Sequence, residues 1–413
     1  MEAFTYRENQ LCAEDVPLRT LAERYGTPAY VYSRAAILEN YARIARGLAG
    51  TPHLICYSVK ANSNLKILSL LREAGAGFDI VSGGELARVG RVGAAMDRVV
   101  FSGVGKTVEE IDAALAAGLL MFNVESDGEL HVIEQRAAAL GRTAPIALRI
   151  NPDVEAETHP YISTGRFIHK FGVPKDSALA LYRRAVASPH LRVRGIACHI
   201  GSQILQAEPF LKALEEILEI ATRLRAEGIG LEWLDLGGGY GIRYQAEAPL
   251  DWDGLTSRIH HQLAHSPYRL IVEPGRTIVG DAGLLLTRVL YLKRTRQKNF
   301  IIVDAGMNDL LRPALYGSEH QVWPVAPRSH PAEPADVVGP LCETGDFLAR
   351  DRRLPPPEPG DLLAVLTAGA YGFVLSSNYN SRPRPAEILV SGFQAQLIRA
   401  RERLDDLMTG ETP

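Results

Sequence analysis

The 413 residues are 46% hydrophobic and 23% charged, a globular balance that excludes a disordered, collagenous or fibrous chain. At about 150 residues per domain the length allows two to three domains, or one barrel of roughly 250 residues with a companion. The net charge of −3 offers no global basic field for nucleic acid or an anionic membrane.

The chain opens on MEAFTYRENQ, polar and acidic where a secretory signal is basic and then apolar. No run of about 18 apolar residues follows, so no transmembrane helix is expected. Four cysteines, Cys12, Cys56, Cys198 and Cys342, match no zinc or redox spacing and suggest a reducing cytoplasm. Cys56 and Cys198 lie in apolar runs and read as packing residues.

From residue 53 a long rhythm begins. Short apolar runs fall at 53–59, 78–82, 99–103, 121–125, 146–151, 193–199, 233–237 and 269–273. Amphipathic stretches separate them, for example 65–74, 108–117, 128–140 and 210–227. Strand–helix alternation predicts parallel βαβ units, and eight of them predict a closed (β/α)8 barrel over residues 31–283. After residue 284 strand-like runs dominate, at 284–292, 300–304, 336–338, 362–367 and 386–390, with Pro and Gly between them. These predict an antiparallel β domain over 284–413, which residues 1–30 are expected to join. A charged helix over 394–408 is expected to close the chain.

In a barrel enzyme function gathers at the C-terminal ends of the strands. The first run ends at Lys60, an unusual residue to close an apolar strand, and suited to an imine if desolvated. The sixth ends at His199, Gly201 and Ser202. The seventh ends at Gly237, Gly238 and Gly239, and the eighth at Glu273, Gly275 and Arg276. Glycines after a strand let backbone N–H groups approach an anion. A lysine, a histidine, a glutamate and a glycine-rich cradle on one rim fit a phosphorylated cofactor held through an imine. Two look-alikes fail. Gly103 to Thr107 imitates half a P-loop, but Val100 stands where that motif needs glycine, and Thr107 reads as a helix N-cap. His261 and His265 imitate a zincin pair, but Gln262 stands where glutamate is needed, so no metal is expected.

The motifs YSVKANSN, FDIVSGGEL, VFSGVGKT, THPYISTG, HIGSQ, LDLGGGYG, VEPGR, MNDLLRPALY, GPLCETGDFLA and AGAYGFVLSSNYN occur in this order across nearly the whole chain. With them the sequence resembles the diaminopimelate decarboxylases, in the fold type III family of pyridoxal-phosphate enzymes. The resemblance implies an alanine racemase-like fold, pyridoxal 5'-phosphate as cofactor, and conversion of meso-2,6-diaminopimelate to L-lysine and CO2, the last step of lysine biosynthesis. It implies that Lys60 carries the cofactor through an imine and that His199 stacks on its ring. The backbone amides of Gly237 to Gly239, with Ser202, Gly275, Arg276 and Tyr371, would hold the phosphate. Glu273 would bind the pyridine nitrogen and keep it protonated, which favours decarboxylation because a pyridinium is a strong electron sink. Arg276, Arg312 and Tyr316 would bind the distal carboxylate, Glu343 the distal ammonium, and Tyr371 would also face the substrate.

Cys342 would protonate Cα or position the acid that does. Cys342 and Glu343 are expected from a partner subunit, making a homodimer with shared sites. Asp304 and Asp309 read as structural. A decarboxylase of another basic or carboxylated diamino substrate is the alternative, and the paired Arg276 and Arg312 argue against ornithine or lysine. A catalytically dead regulatory relative is opposed by the intact Lys60, Glu273 and Cys342. One departure from the common pattern is Arg166-Phe167-Ile168-His169, where relatives are more polar; it reads as neutral loop drift or as altered lid closure or substrate range.

Overall fold

A computed structural model describes residues 3–154 and 170–412. THPYISTG and the Arg166 to His169 departure lie outside the described residues. The chain forms two compact units. One comprises Tyr41–Ile242 and Ala248–Gly275, the other Met1–Asn40, Arg243–Glu247 and Arg276–Pro413.

The first unit is the barrel. Its strands are His53–Ser58, Gly77–Ile80, Val99–Phe101, Met121–Val124, Ala144–Asn151, Leu191–Ala197, Trp233–Asp235 and Arg269–Val272. Each pairs in parallel with the next, and the ring closes where Leu270, Ile271 and Val272 pair with His53, Leu54 and Ile55. All eight apolar runs are strands, because both faces of such a ring are covered. Leu54, Cys56, Val100, Met121, Ala147, Ala197, Trp233 and Ile271 pack as one buried cluster. Gly195 is dictated by that packing: a Cβ there would lie 2.7 Å from the Trp233 carbonyl.

The helices start where short polar side chains can take an orphan N–H. Asn64 accepts from Lys66 N ahead of Leu65–Glu73, Ser82 from Glu85 N ahead of Gly83–Arg91, and Ser126 from Glu129 N ahead of Asp127–Ala139. Thr107 and Glu110 form a reciprocal capping box ahead of Val108–Ala117, which is the N-cap expected there. Lys106, the false P-loop lysine, is a buried strut bonded to Glu129 at 2.7 Å and to the carbonyls of Gly103 and Asn123.

The second unit is a sheet domain. Its large sheet runs in the order Phe347–Leu354, Glu333–Val338, Asn299–Val303, Gly283–Arg294, Ala29–Ser33, Ala386–Ser391, Gln394–Arg399. Leu362–Val365 pairs with Gly283–Arg294 and with Val322–Pro324. A three-stranded sheet of Phe4–Arg7, Gln10–Ala13 and Val16–Pro17 packs into the same core, with Leu11, Leu18, Val31, Leu284, Leu286 and Ile388 buried together.

Two expectations change here. The sheet is not wholly antiparallel: Asn299–Val303 pairs in parallel with Glu333–Val338, and Ala386–Ser391 in parallel with Ala29–Ser33. The segment 394–408 is not one helix. Gln394–Arg399 is a strand, joined to Ala386–Ser391 through the two-residue turn Gly392-Phe393 with Gly392 at φ +56°, and only Leu404–Met408 coils, as a 3-10 turn.

Candidate active site

Two groups of polar residues stand out, one in each unit. The barrel group lines the C-terminal strand ends. Lys60 follows the first strand, and its Nζ lies 2.5 Å from Asp79 Oδ2 and 3.3 Å from Ser58 Oγ. Asp79 is fully buried, and Ser58 Oγ also donates to it at 2.7 Å. The lysine is therefore not bare: a buried carboxylate at the end of the neighbouring strand aims it.

Asn123, 2% exposed, connects three other strand ends. Its Nδ2 donates to Asp235 Oδ2 at 2.9 Å, Ser102 Oγ at 3.1 Å and Glu273 Oε1 at 3.4 Å. Burial pushes the Glu273 carboxyl well above the usual range, and the Asp235 and Asp79 carboxylates push it further. Burial raises Asp235 to about 6. Glu273 is thus biased toward its protonated form.

His199 follows the sixth strand. Burial pushes its imidazole well below the ordinary histidine value, and the Arg149 and Lys60 charges act in the same direction. The ring is neutral. Gly238 N–H donates to His199 Nδ1 at 3.1 Å, so the lone pair is on Nδ1 and the proton on Nε2.

The glycine cradle is tight. A Cβ on Gly238 would lie 2.2 Å from the Glu273 carbonyl, and one on Gly239 (φ +100°) 2.1 Å from the Gly201 carbonyl. Gly237 N–H donates to Asp235 Oδ1 at 3.0 Å, and that of Gly238 goes to His199. Two of the three amides expected at a phosphate are thus already engaged. The N–H groups of Gly239 and Gly275 have no acceptor among the described residues. Two such amides after the seventh and eighth strands, a neutral flat imidazole, a buried carboxyl and an aimed lysine fit pyridoxal phosphate.

The second group belongs to the sheet unit. Arg276 and Arg312 are 5% and 6% exposed. Arg276 Nη1 lies 2.5 Å from Tyr244 Oη, and its guanidinium sits 4.8 Å from the Tyr371 ring centroid. Arg312 lies over Tyr244 and Tyr316 at 5.2 and 5.6 Å. Its Nη2 donates to Ser318 Oγ at 3.1 Å, and its buried Nε has no partner among the described residues. Burial lowers the Arg312 pKa, and the Arg276 charge lowers it further. The phenols of Tyr244, Tyr316 and Tyr371 lie against these cations, a setting suited to an anion. Tyr371 holds a positive φ of 55° there, strain of the kind stored at functional sites. Fully buried His320 packs edge-on to Tyr244 at 5.2 Å, and burial lowers its pKa to about 3.

Within the sheet unit, Cys342 and Glu343 share no hydrogen bond with Arg276 or Arg312 among the described residues. Cys342 is exposed, with its N–H donating to Asn380 Oδ1 at 3.0 Å, and Glu343 bonds Tyr379. Their loop is nonetheless fixed, since buried Asp346 accepts from Leu341 N at 2.6 Å and Met307 N at 2.7 Å. Cys12, Cys56 and Cys198 are buried.

The sequence readings did not single out Asn123, Asp235 or Arg149, nor Tyr244 and His320. The available signal was a polar residue inside an apolar strand, as with Asn123 in Met121–Val124 and Asp235 in Trp233–Asp235.

Residues 34–280 match the family model described as pyridoxal-dependent decarboxylase, pyridoxal binding domain. The diaminopimelate decarboxylase of Pseudomonas aeruginosa is 55% identical over 412 residues, covering 100% of this chain and 99% of that protein. The Helicobacter pylori diaminopimelate decarboxylase complexed with L-lysine is similar with a TM-score of 0.92 at 43% identity, over 95% of this chain and 98% of that one. The M. jannaschii enzyme in co-complex with L-lysine gives 0.95 at 37% identity, over 100% and 98%. Among the described residues no helix is long and apolar enough to cross a membrane.

Proposed function

Because the chain belongs to the diaminopimelate decarboxylases, within the pyridoxal-dependent decarboxylase family, we propose that it converts meso-2,6-diaminopimelate to L-lysine and CO2 with the residues placed above. The observation that carries the substrate is the pair of buried guanidiniums, Arg276 and Arg312, set among phenols. Such a pair favours a substrate with a second carboxylate, which ornithine, arginine and lysine lack.

Pyridoxal phosphate supplies the electron sink that stabilises the charge left when CO2 departs. Lys60 would hold it covalently, Glu273 would meet its ring nitrogen, and His199 would lie against its ring. Gly239 and Gly275, with Ser202, Arg276 and Tyr371, would take its phosphate. Within the chain, Asp79 orients the Lys60 ammonium and Asn123 fixes the Glu273 carboxyl. Burial and two neighbouring carboxylates disfavour ionisation of Glu273. Gly238 holds His199 in its neutral Nε2–H tautomer, so the imidazole adds no positive charge beside Lys60. Arg312, with Arg276 and Tyr316, anchors the distal carboxylate, which orients the scissile bond.

Cys342 would supply the proton to Cα and Glu343 would bind the distal ammonium, both lent to the site of a second copy. Their exposure supports a homodimer with shared sites. Four free cysteines support a reducing, cytoplasmic setting. CO2 release from meso-diaminopimelate, set against ornithine, arginine and L,L-diaminopimelate, tests the assignment. Turnover confined to the meso compound is expected, and an equal rate on ornithine would overturn it.

A further inference from the structure

The opposite end of the barrel has its own chemistry. At the N-terminal strand ends lies a cavity of about 650 Å3, well inside the range of small-molecule sites. Five arginines line it: Arg98, Arg142, Arg192, Arg194 and Arg269. The acids close by are Asp97, which also lines it, and Glu232, which is shared by Arg192 at 3.1 Å and Arg194 at 2.7 Å. Five guanidiniums against two carboxylates leave an excess of three positive charges, in a chain whose net charge is −3.

Their bonds leave donors unused. Among the described residues Arg98 and Arg142 reach only backbone carbonyls, Gly75 O at 2.6 Å and Leu115 O at 2.9 Å. The Arg269 guanidinium has no acceptor among the described residues and lies 4.2 Å over the Trp233 ring. Trp233 is 3% exposed, and its Nε1–H has no partner among the described residues. The buried Nε of Arg194 is likewise unpartnered among them. A buried N–H left unbonded is costly, and gathered cations repel one another. The repulsion is relieved if an oxyanion enters. Catalysis at the C-terminal rim does not use these residues.

We propose that this mouth binds a compact polyvalent oxyanion, phosphoryl or polycarboxylate, held by Arg269, Arg194 and Arg142. Stacking on Trp233 holds the Arg269 fork rigid, which suits bidentate recognition. The cavity is deep enough for a small molecule, while a nucleic-acid strand would need an extended groove. The inference is independent of the reaction at the other rim.

Calorimetric titration of the holoenzyme with inorganic pyrophosphate and with citrate tests it, at fixed ionic strength. One site per chain is expected for at least one of them, and whichever binds identifies the source. The absorbance of the lysine-bound cofactor should not move, which separates this site from the cofactor's. Arg269→Gln and Arg194→Gln should each weaken binding by about ten-fold or more, the worth of a charge-assisted bond. Arg142 is exposed, so Arg142→Gln supplies a variant that keeps its fold if Arg194→Gln does not. Absence of binding by both anions, equal affinity in Arg269→Gln and Arg142→Gln, or binding of heparin without either small anion would overturn the proposal.

Discussion

Replacing Arg312 by methionine should separate catalysis from stability. The guanidinium is 6% exposed, burial disfavours its charge, and Arg276 adds like-charge repulsion. An ion buried without its counter-charge carries a penalty of several kcal/mol. Against this stand one charged hydrogen bond to Ser318, about 1.5–3 kcal/mol, and the two aromatic contacts, about 0.5–1 kcal/mol each. Methionine keeps the apolar stem against Tyr244 and Tyr316. The terms nearly cancel, so the unfolding free energy should stay within about 1 kcal/mol of the parent or rise. The substrate's distal carboxylate, however, loses up to two charge-assisted bonds, at least about 3 kcal/mol, and kcat/KM should fall by at least about 100-fold. Chemical denaturation and CO2 release, both at saturating cofactor, read the two effects. A destabilisation above about 3 kcal/mol with kcat/KM within three-fold of the parent would refute the reasoning, because Arg312 would then be a packing residue.

The other expectations are simpler to read. Burial raises Asp309 from 3.8 to about 7, so its ionisation in the fold costs roughly 4 kcal/mol. Its contribution is fully present below about pH 4 and lost as pH rises to 7, and Asp309→Asn should flatten that part of the stability–pH curve; an unchanged slope by denaturation would contradict the burial argument. Gly238→Ala sets a Cβ 2.2 Å from the Glu273 carbonyl and should lower cofactor affinity by at least about ten-fold, read from cofactor absorbance. Cys342→Ala should keep the cofactor band and lose most turnover, whereas wild-type rates would remove its role as acid. Mixing inactive Lys60→Ala with inactive Cys342→Ala should recover up to about a quarter of wild-type activity through mixed dimers. No recovery despite subunit exchange would show that each site is built within one chain.

Much of the barrel was legible because parallel strands covered on both faces must be continuous apolar runs. The eight runs start and stop within a few residues of the observed strands, as with 121–125 against Met121–Val124. Strand order in the sheet unit was not legible, since Ala29–Ser33 carries no mark of partners hundreds of residues away. The end of the chain misled for a specific reason. Charged residues over 394–408 suit a surface helix and an edge strand equally, and the deciding signal is the turn glycine, Gly392, just before them. At the site, residue types identified Lys60, His199, Glu273 and the glycines as candidates. Their settings were invisible: that Asp79 aims Lys60, that Asn123 bridges Asp235 and Glu273, and that two of three cradle amides are already engaged all depend on distances across strands.

The placement of Ala29–Ser33 has a consequence for the chain's birth on the ribosome. This strand is hydrogen-bonded to Gly283–Arg294 on one side and Ala386–Ser391 on the other. It emerges early and must wait for both. At about 5–20 residues per second the delay is on the order of tens of seconds, during which its apolar residues Ala29, Tyr30, Val31 and Tyr32, all later fully buried, have no sheet to enter. The eight barrel strands are all synthesised within that interval. A barrel able to form first would leave this unsatisfied strand open to misassociation, and a stop codon just before residue 386 would leave its Ala386–Ser391 edge permanently unpaired.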